Sequence, residues 1–188
     1  MSRIQPVKHI SDPKLKNLFT AGEAFMGFLP NDGLLMAHKP KLLKTFFELV
    51  KEVYAVGKVD SGLKKLVGHV TSTAAGCRYC AAHTAFAAMK QGVSETKLKE
   101  VWNFENATVF DDSEKAALNV ALKAGMVPNQ VTDADMTELK KYFDEEGVVE
   151  IVGVISLFGF LNRWNTTLDT QIEELPQTFY ESVKNQNT

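Results

Sequence analysis

Two cysteines among 188 residues, three positions apart, are too few to brace a secreted chain with a disulfide framework. Charge of one sign is also scarce. The 21 basic residues are scattered among 23 acidic ones, no basic run exceeds two, and the net charge of −2 offers no surface for nucleic acid. The first thirteen residues lack the continuous apolar stretch of a secretory leader. The longest apolar region, Val148 to Leu161, is broken by Glu150 and Ser156 and falls short of a bilayer span. These absences exclude nucleic-acid and membrane partners and make a cytoplasmic location the expectation. In such a reducing compartment a lone, close pair of cysteines is more often catalytic or metal-binding than structural.

What remains is an ordinary globular composition, 45% apolar and 23% charged, which at this length suits one domain with a real core. Helix signals recur from end to end. Ser11-Asp12-Pro13 caps a first helix reaching toward Pro30, and Asn31-Asp32-Gly33 reads as a turn. Pro40 opens a helix carrying Leu43, Phe46, Phe47, Val50 and Val53, stopped by Gly57. A third helix is expected from about Ser61 to Ala75 and, after a break at Gly76, a fourth from Cys77 to Gly92. Ser94 caps a short helix, and Asp111 to Ser113 open one that ends at a C′ glycine, Gly125. Thr132 and Asp135 form a capping box for a helix to Gly147, and a last helix covers Gln177 to Val183. Val148 to Trp164 is rich in β-branched residues, yet it is too long for a strand and has no second strong strand to pair with. It reads as a buried helix in the core or at a subunit interface. The predicted fold is all-α, a single compact domain over residues 1–188 with about eight helices.

The chemistry concentrates in Gly76-Cys77-Arg78-Tyr79-Cys80-Ala81-Ala82-His83. With Gly76 ending one helix, Cys77 falls at the start of the next, where free backbone N–H groups and the helix dipole stabilise a thiolate. Cys77 and Cys80 are i,i+3 neighbours, close enough for a disulfide across the first turn. Cys80 and His83 stand in the same relation, so the imidazole is placed to exchange a proton with that thiol. A thiolate attacks a peroxide or a disulfide, and a second cysteine one turn away resolves the product. Zinc would find only Cys77, Cys80, His83 and His69, with no second paired motif, and haem attachment would need histidine where Ala81 stands. No metal or cofactor is expected. Two inert core cysteines are the plain structural alternative. His69, on the helix leading into the cysteine helix, is read as a proton-relay residue or a hydrogen-bonded core histidine. Glu150 opens the apolar run and is expected to pair with Lys65, Arg163 or His69.

The stretch Leu63 to Gly92, with Ala75-Gly76-Cys77-Arg78-Tyr79-Cys80-Ala81-Ala82-His83-Thr84 at its centre, resembles the carboxymuconolactone decarboxylase superfamily, most closely its alkylhydroperoxidase D-like branch. Glu150-Ile151-Val152, followed by Phe158-Gly159-Phe160-Leu161-Asn162-Arg163-Trp164, resembles the second signature of that group. The resemblance implies an all-α fold assembled as a homotrimer or homohexamer. It implies a thiol-dependent peroxidase or disulfide reductase in antioxidant defence, with a hydroperoxide as substrate and a thiol reductant or redox protein as partner. In the family the second cysteine attacks, here Cys80, and Cys77 resolves; the helix dipole instead favours Cys77 as the more acidic thiol. The resemblance also implies a relay glutamate twelve residues before the first cysteine. Lys65 stands there, which leaves His69, or secondly Glu150, as the substitute. The family histidine often falls four residues after the second cysteine, where this chain has Thr84 and keeps His83 at three. Two alternatives stand beside the peroxidase: a lactone decarboxylase, whose chemistry needs no cysteine pair, and a non-enzymatic redox-sensing oligomer.

Overall fold

A computed structural model describes residues 2–184. Among them are ten α-helices and no strand: α1 Pro13–Met26, α2 Asn31–Met36, α3 Pro40–Val53, α4 Ser61–Ala74, α5 Arg78–Lys90, α6 Glu95–Glu100, α7 Asp112–Gly125, α8 Asp133–Leu139, α9 Glu145–Leu168 and α10 Glu174–Val183. One 3-10 turn, Val101–Asn103, succeeds α6. The all-α expectation holds, with more helices than the eight or so predicted. The Asn31-Asp32-Gly33 turn is instead the first turn of α2, where Pro30 supplies an extended N-cap and Asp32 complements the helix dipole. The helix expected to reach Gly147 stops at Leu139. Asp144 then starts α9 afresh by accepting the Gly147 N–H at 2.9 Å. The caps at Asp12 and Thr132 form as their residue types dictate, the second as a complete box with Asp135.

Helix α4 is the hub, packing on α5, α7 and α9. Leu66, Val67 and Val70 are buried on it. Helix α5 answers with a face of small residues, Ala81, Ala82, Ala85 and Ala88, all buried, which lets the two backbones approach closely. The pair runs antiparallel: His69 reaches the Ala81 carbonyl at 3.0 Å, and Gly62 lies beside Val93 at the other end. Gly125 ends α7 without the left-handed cap expected of it. Its role is proximity, since a Cβ there would lie 2.7 Å from the Thr71 carbonyl of α4. A smaller cluster, with Leu15, Phe19, Met36 and Leu43, ties α1, α2 and α3 together.

Helix α9, at 24 residues, is longer than its apolar run suggested, and by length and composition alone it could cross a membrane. Ile151, Val154, Leu157 and Leu161 instead bury its inner face in the core. Glu150, near its start, secures the loop between α3 and α4. It accepts the Lys58 and Val59 N–H groups at 2.8 and 3.1 Å and pairs with the buried Lys64 at 2.9 Å. The partner is thus Lys64, not Lys65, Arg163 or His69, because Lys64 is the lysine whose side chain turns back under that loop, also donating to the Ala55 carbonyl at 2.8 Å.

Substituting Gly125→Ala would force α4 and α7 apart at their backbones. The expected cost is about 1–3 kcal/mol, read as a lower urea midpoint at unchanged m-value. An unchanged midpoint would mean that this contact does not set the helix spacing.

Candidate active site

The site begins with the three-residue link between α4 and α5. Gly76 takes φ +71°, a left-handed conformation that reverses the chain and that other residues rarely adopt. Cys77 then becomes the N-cap of α5, and its Sγ accepts the Cys80 N–H at 3.4 Å. Both cysteines are free thiols and both are buried. The Cys80 thiol and N–H act together on Cys77 and lower its pKa to about 7, against the opposing effect of burial. Cys80 moves the other way: burial, then its contact with Cys77, pushes its thiol well above the ordinary value. Asn165 of α9 donates to Cys80 Sγ at 3.3 Å. Arg78 is exposed.

A polar cluster stands one turn further along α5. His83 Nε2 lies 2.5 Å from Glu173 Oε2, in the segment that leads into α10. The imidazole stacks on Tyr79, with ring centroids 4.1 Å apart and planes 22° apart, and Phe28 meets it edge-on. The Tyr79 hydroxyl lies 3.1 Å from Glu173 Oε1 and 3.2 Å from Asp32 Oδ1, so it donates to one carboxylate at a time. Glu173 also accepts the Asn31 N–H. Burial raises the Asp32 carboxyl, opposed by His83 and reinforced by Glu173. Two carboxylates, a phenol and an imidazole thus form one connected proton-carrying network beside Cys80.

The two sulfurs open on different spaces. Cys80 and His83 share a cavity of ≈ 230 Å³ walled by apolar side chains, among them Phe46, Val50, Phe158 and Leu161, with Asp32 and Lys65 also reaching it. Cys77 instead borders a polar cleft of ≈ 290 Å³ with Arg78, Thr166, Asp169 and Gln171. The arrangement sets one thiol in the wall of an apolar cavity and a second thiol one helical turn away.

The residues singled out in the sequence separate into two groups. Cys77, Cys80 and His83 come together, although His83 bonds Glu173 and not a sulfur. His69 does not join them. It is a buried core histidine held by the Ala81 carbonyl and the Thr84 hydroxyl, and burial lowers its pKa to about 4. Glu150 serves the α3–α4 loop. Lys65 does reach the cavity, its ammonium 3.2 Å from the centre of the Tyr54 ring, and burial, with Lys64 adding, lowers it to about 8. Asp32, Glu173 and Asn165 escape sequence reasoning, because each is distant in sequence from the cysteines and lies in no motif. Tyr79 lies inside the motif as an unassigned position. Among the described residues no three His, Cys, Asp or Glu side chains form a cluster able to hold a metal ion.

Residues 40–123 match the carboxymuconolactone decarboxylase family. The debrominase Bmp8, solved as a Cys-to-Ala variant in complex with 2,3,4-tribromopyrrole, is 32% identical over 96% of each chain, with a TM-score of 0.90. The alkylhydroperoxidase AhpD core of an uncharacterised peroxidase-related protein from Ralstonia eutropha JMP134 shares the fold, at 23% identity over 95% of this chain and 94% of that one, with a TM-score of 0.82. The uncharacterised protein YnjA of Escherichia coli K12 is 27% identical over 117 residues, 62% of this chain. That match spans 64% of YnjA, a little under two thirds of its length.

These environments generate two titrations. Alkylation of Cys77 in the reduced protein should show a midpoint near 7, rising toward about 8.5 in Cys80→Ala, where the sulfur donor is gone. A midpoint unmoved by that substitution would refute the sulfur–sulfur contact as its cause. For His69 the folded pKa lies below the unfolded value, so the unfolded chain takes up the proton first. Stability is therefore full above about 6.5 and falls as pH drops toward about 4. The loss is on the order of 3 kcal/mol, and urea midpoints across that range should lose this dependence in His69→Gln.

Proposed function

The chain belongs to the carboxymuconolactone decarboxylase family, and we propose that it is an alkylhydroperoxidase D-like, thiol-dependent peroxidase of antioxidant defence. Its dithiol gives two electrons to an apolar organic hydroperoxide. The observation that carries this reading is Cys80 set in the wall of an apolar cavity, with Cys77 one turn behind it and the His83–Glu173 pair beside it. Cys80 is the attacking sulfur because it, and not Cys77, faces that cavity. The Cys77 thiolate is the nearer base: it takes the Cys80 proton as Cys80 attacks the O–O bond. Cys80 becomes a sulfenic acid, and the departing alkoxide takes a proton from the network of His83, Glu173, Tyr79 and Asp32 and leaves as an alcohol. Cys77 then attacks the Cys80 sulfur, releasing water and closing the disulfide. A thiol reductant or a redox partner protein in a reducing cytoplasm restores the dithiol.

Oligomerisation belongs to the same reading. Along the outer side of α9, Val149, Val152 and Phe160 remain exposed, Val149 at 69%, as suits a subunit contact in a homotrimer or homohexamer. A disulfide-reductase role uses the same two sulfurs. His69 and Glu150 carry no step in it, since neither touches a sulfur or the cavity.

A second reading is reductive dehalogenation of a halogenated heteroaromatic, favoured by the 32% identity with the debrominase over 96% of the chain and by the aromatic walls of the Cys80 cavity. The net reaction consumes the carbon–halogen bond and two thiols and yields the C–H product, a disulfide and hydrogen halide.

Rapid mixing of the reduced protein with cumene hydroperoxide should produce one Cys77–Cys80 disulfide per peroxide consumed. The disulfide should be lost in Cys77→Ser, and peroxide consumption lost in Cys80→Ser. His83→Asn should slow the oxidation by about 10²-fold or more. Peroxide consumption at the wild-type rate in Cys80→Ser would sink the peroxidase reading, and bromide release from 2,3,4-tribromopyrrole with disulfide formation would favour the second.

A further inference from the structure

Two lysines line the Cys80 cavity, the exposed Lys90 and the partly buried Lys65, and Lys65 is the one held away from solvent. Among the described residues no carboxylate lies within ion-pair distance of it; its contact is the face of Tyr54, at 3.2 Å. The charge acting on it is the like charge of Lys64, which Glu150 already neutralises. Even lowered to about 8, its amine remains largely protonated at neutral pH. A cation held in apolar surroundings without an anion is an electrostatic deficit that a ligand can fill.

Its position sets the ligand's length. The antiparallel register of α4 and α5, with His69 beside Ala81 and Gly62 beside Val93, puts Lys65 level with the stretch from Ala87 to Lys90, and both of those residues also line the cavity. Cys80 lies about seven residues up α5 from that level, roughly 10 Å along the helix axis. Asp32, the cavity's anionic side chain, sits at the Cys80 end, against Tyr79, and so away from Lys65. The space between is apolar, walled by Phe46, Val50 and Phe158. The chamber is therefore polarised, with a thiol and an acid network at one end and, at the other, the partly buried Lys65 inside the exposed Lys90.

We propose that Lys65 is an anion subsite, and that the cavity takes an organic acid of medium chain length whose carboxylate pairs with Lys65 while its apolar body reaches toward Cys80. This deepens the dithiol reading and rests on it for the reaction: the substrate is an organic-acid hydroperoxide whose O–O group stands roughly 10 Å from its carboxylate. Lys65 is thereby a specificity-determining residue, at a position where the family resemblance implied a relay glutamate.

Calorimetric titration of the reduced wild-type protein with octanoate and, separately, with 1-octanol near neutral pH tests the subsite without turnover. Octanoate should bind about tenfold or more tightly than octanol. That preference should vanish in Lys65→Met and persist in both Lys65→Arg and Lys90→Met. Equal binding of the two ligands by the wild type overturns the proposal, as does a preference that survives Lys65→Met. A preference lost in Lys90→Met overturns it too, by moving the anion to the cavity rim. Lys65→Gln replaces Lys65→Met if the latter fails to fold, and octanol binding by the variant shows that the cavity is intact. Since no oxidant is present, a failure here leaves peroxide-driven disulfide formation standing, and a failure of that reaction leaves octanoate binding standing.

Discussion

The close seating of α5 on α4 through an alanine face determines what the rest of the molecule can do. Ala81, Ala82, Ala85 and Ala88 are all buried, so small side chains let the two helices pack closely. The link between them is short enough that Gly76 must reverse the chain and Cys77 must cap α5. Both sulfurs are thereby buried, one facing the α3 and α9 side and one facing the cleft beside α9 and Asp169. A larger residue at any of those alanines would separate the helices and move the thiols with them.

Burial and helix-end electrostatics then act differently on two chemically identical groups. Cys77 collects donors at the first turn, while Cys80, one turn inside, is desolvated. The more acidic thiol is thus the one behind the cavity, and the one at the cavity wall is the less acidic. Acidity alone would choose Cys77 for the attack, and the proposed attack by Cys80 rests on position. The two agree if Cys77 serves as the base for its neighbour, a division of labour that needs only the contact already present between them. Asn165 adds a donor to Cys80 Sγ, and its side-chain amide oxygen has no hydrogen-bond partner among the described residues. An unmet acceptor of this kind costs about 1–3 kcal/mol, which marks the residue as placed for the sulfur more than for stability.

The proton network is assembled from three separate parts of the chain. Asp32 comes from α2, Tyr79 and His83 from α5, and Glu173 from the segment before α10. In the proposed reaction it takes the part that the family resemblance gave to a glutamate on α4, and Lys65, standing at that α4 position, faces the same cavity with the opposite charge. The chamber thus holds a cation where the resemblance implied a carboxylate.

The sequence by itself determined the all-helical fold, the caps at Asp12, Ser94, Asp111 and Thr132, and the Cys77–Cys80–His83 constellation. These are local: caps act within four residues, and an i,i+3 spacing fixes a shared face whatever surrounds it. It also raised His69 and Glu150, polar residues on apolar stretches, which the structure gives to core and loop hydrogen bonds. Only the tertiary structure decided the partners of His83 and Tyr79, because Glu173 lies 90 residues from the first and Asp32 lies 47 residues from the second, in segments with no periodicity to announce them. It alone decided that Gly125 serves helix proximity and not a cap, and that the two cysteines face different spaces. Those outcomes depend on which helix faces meet, and packing between distant segments leaves no fixed spacing in the chain.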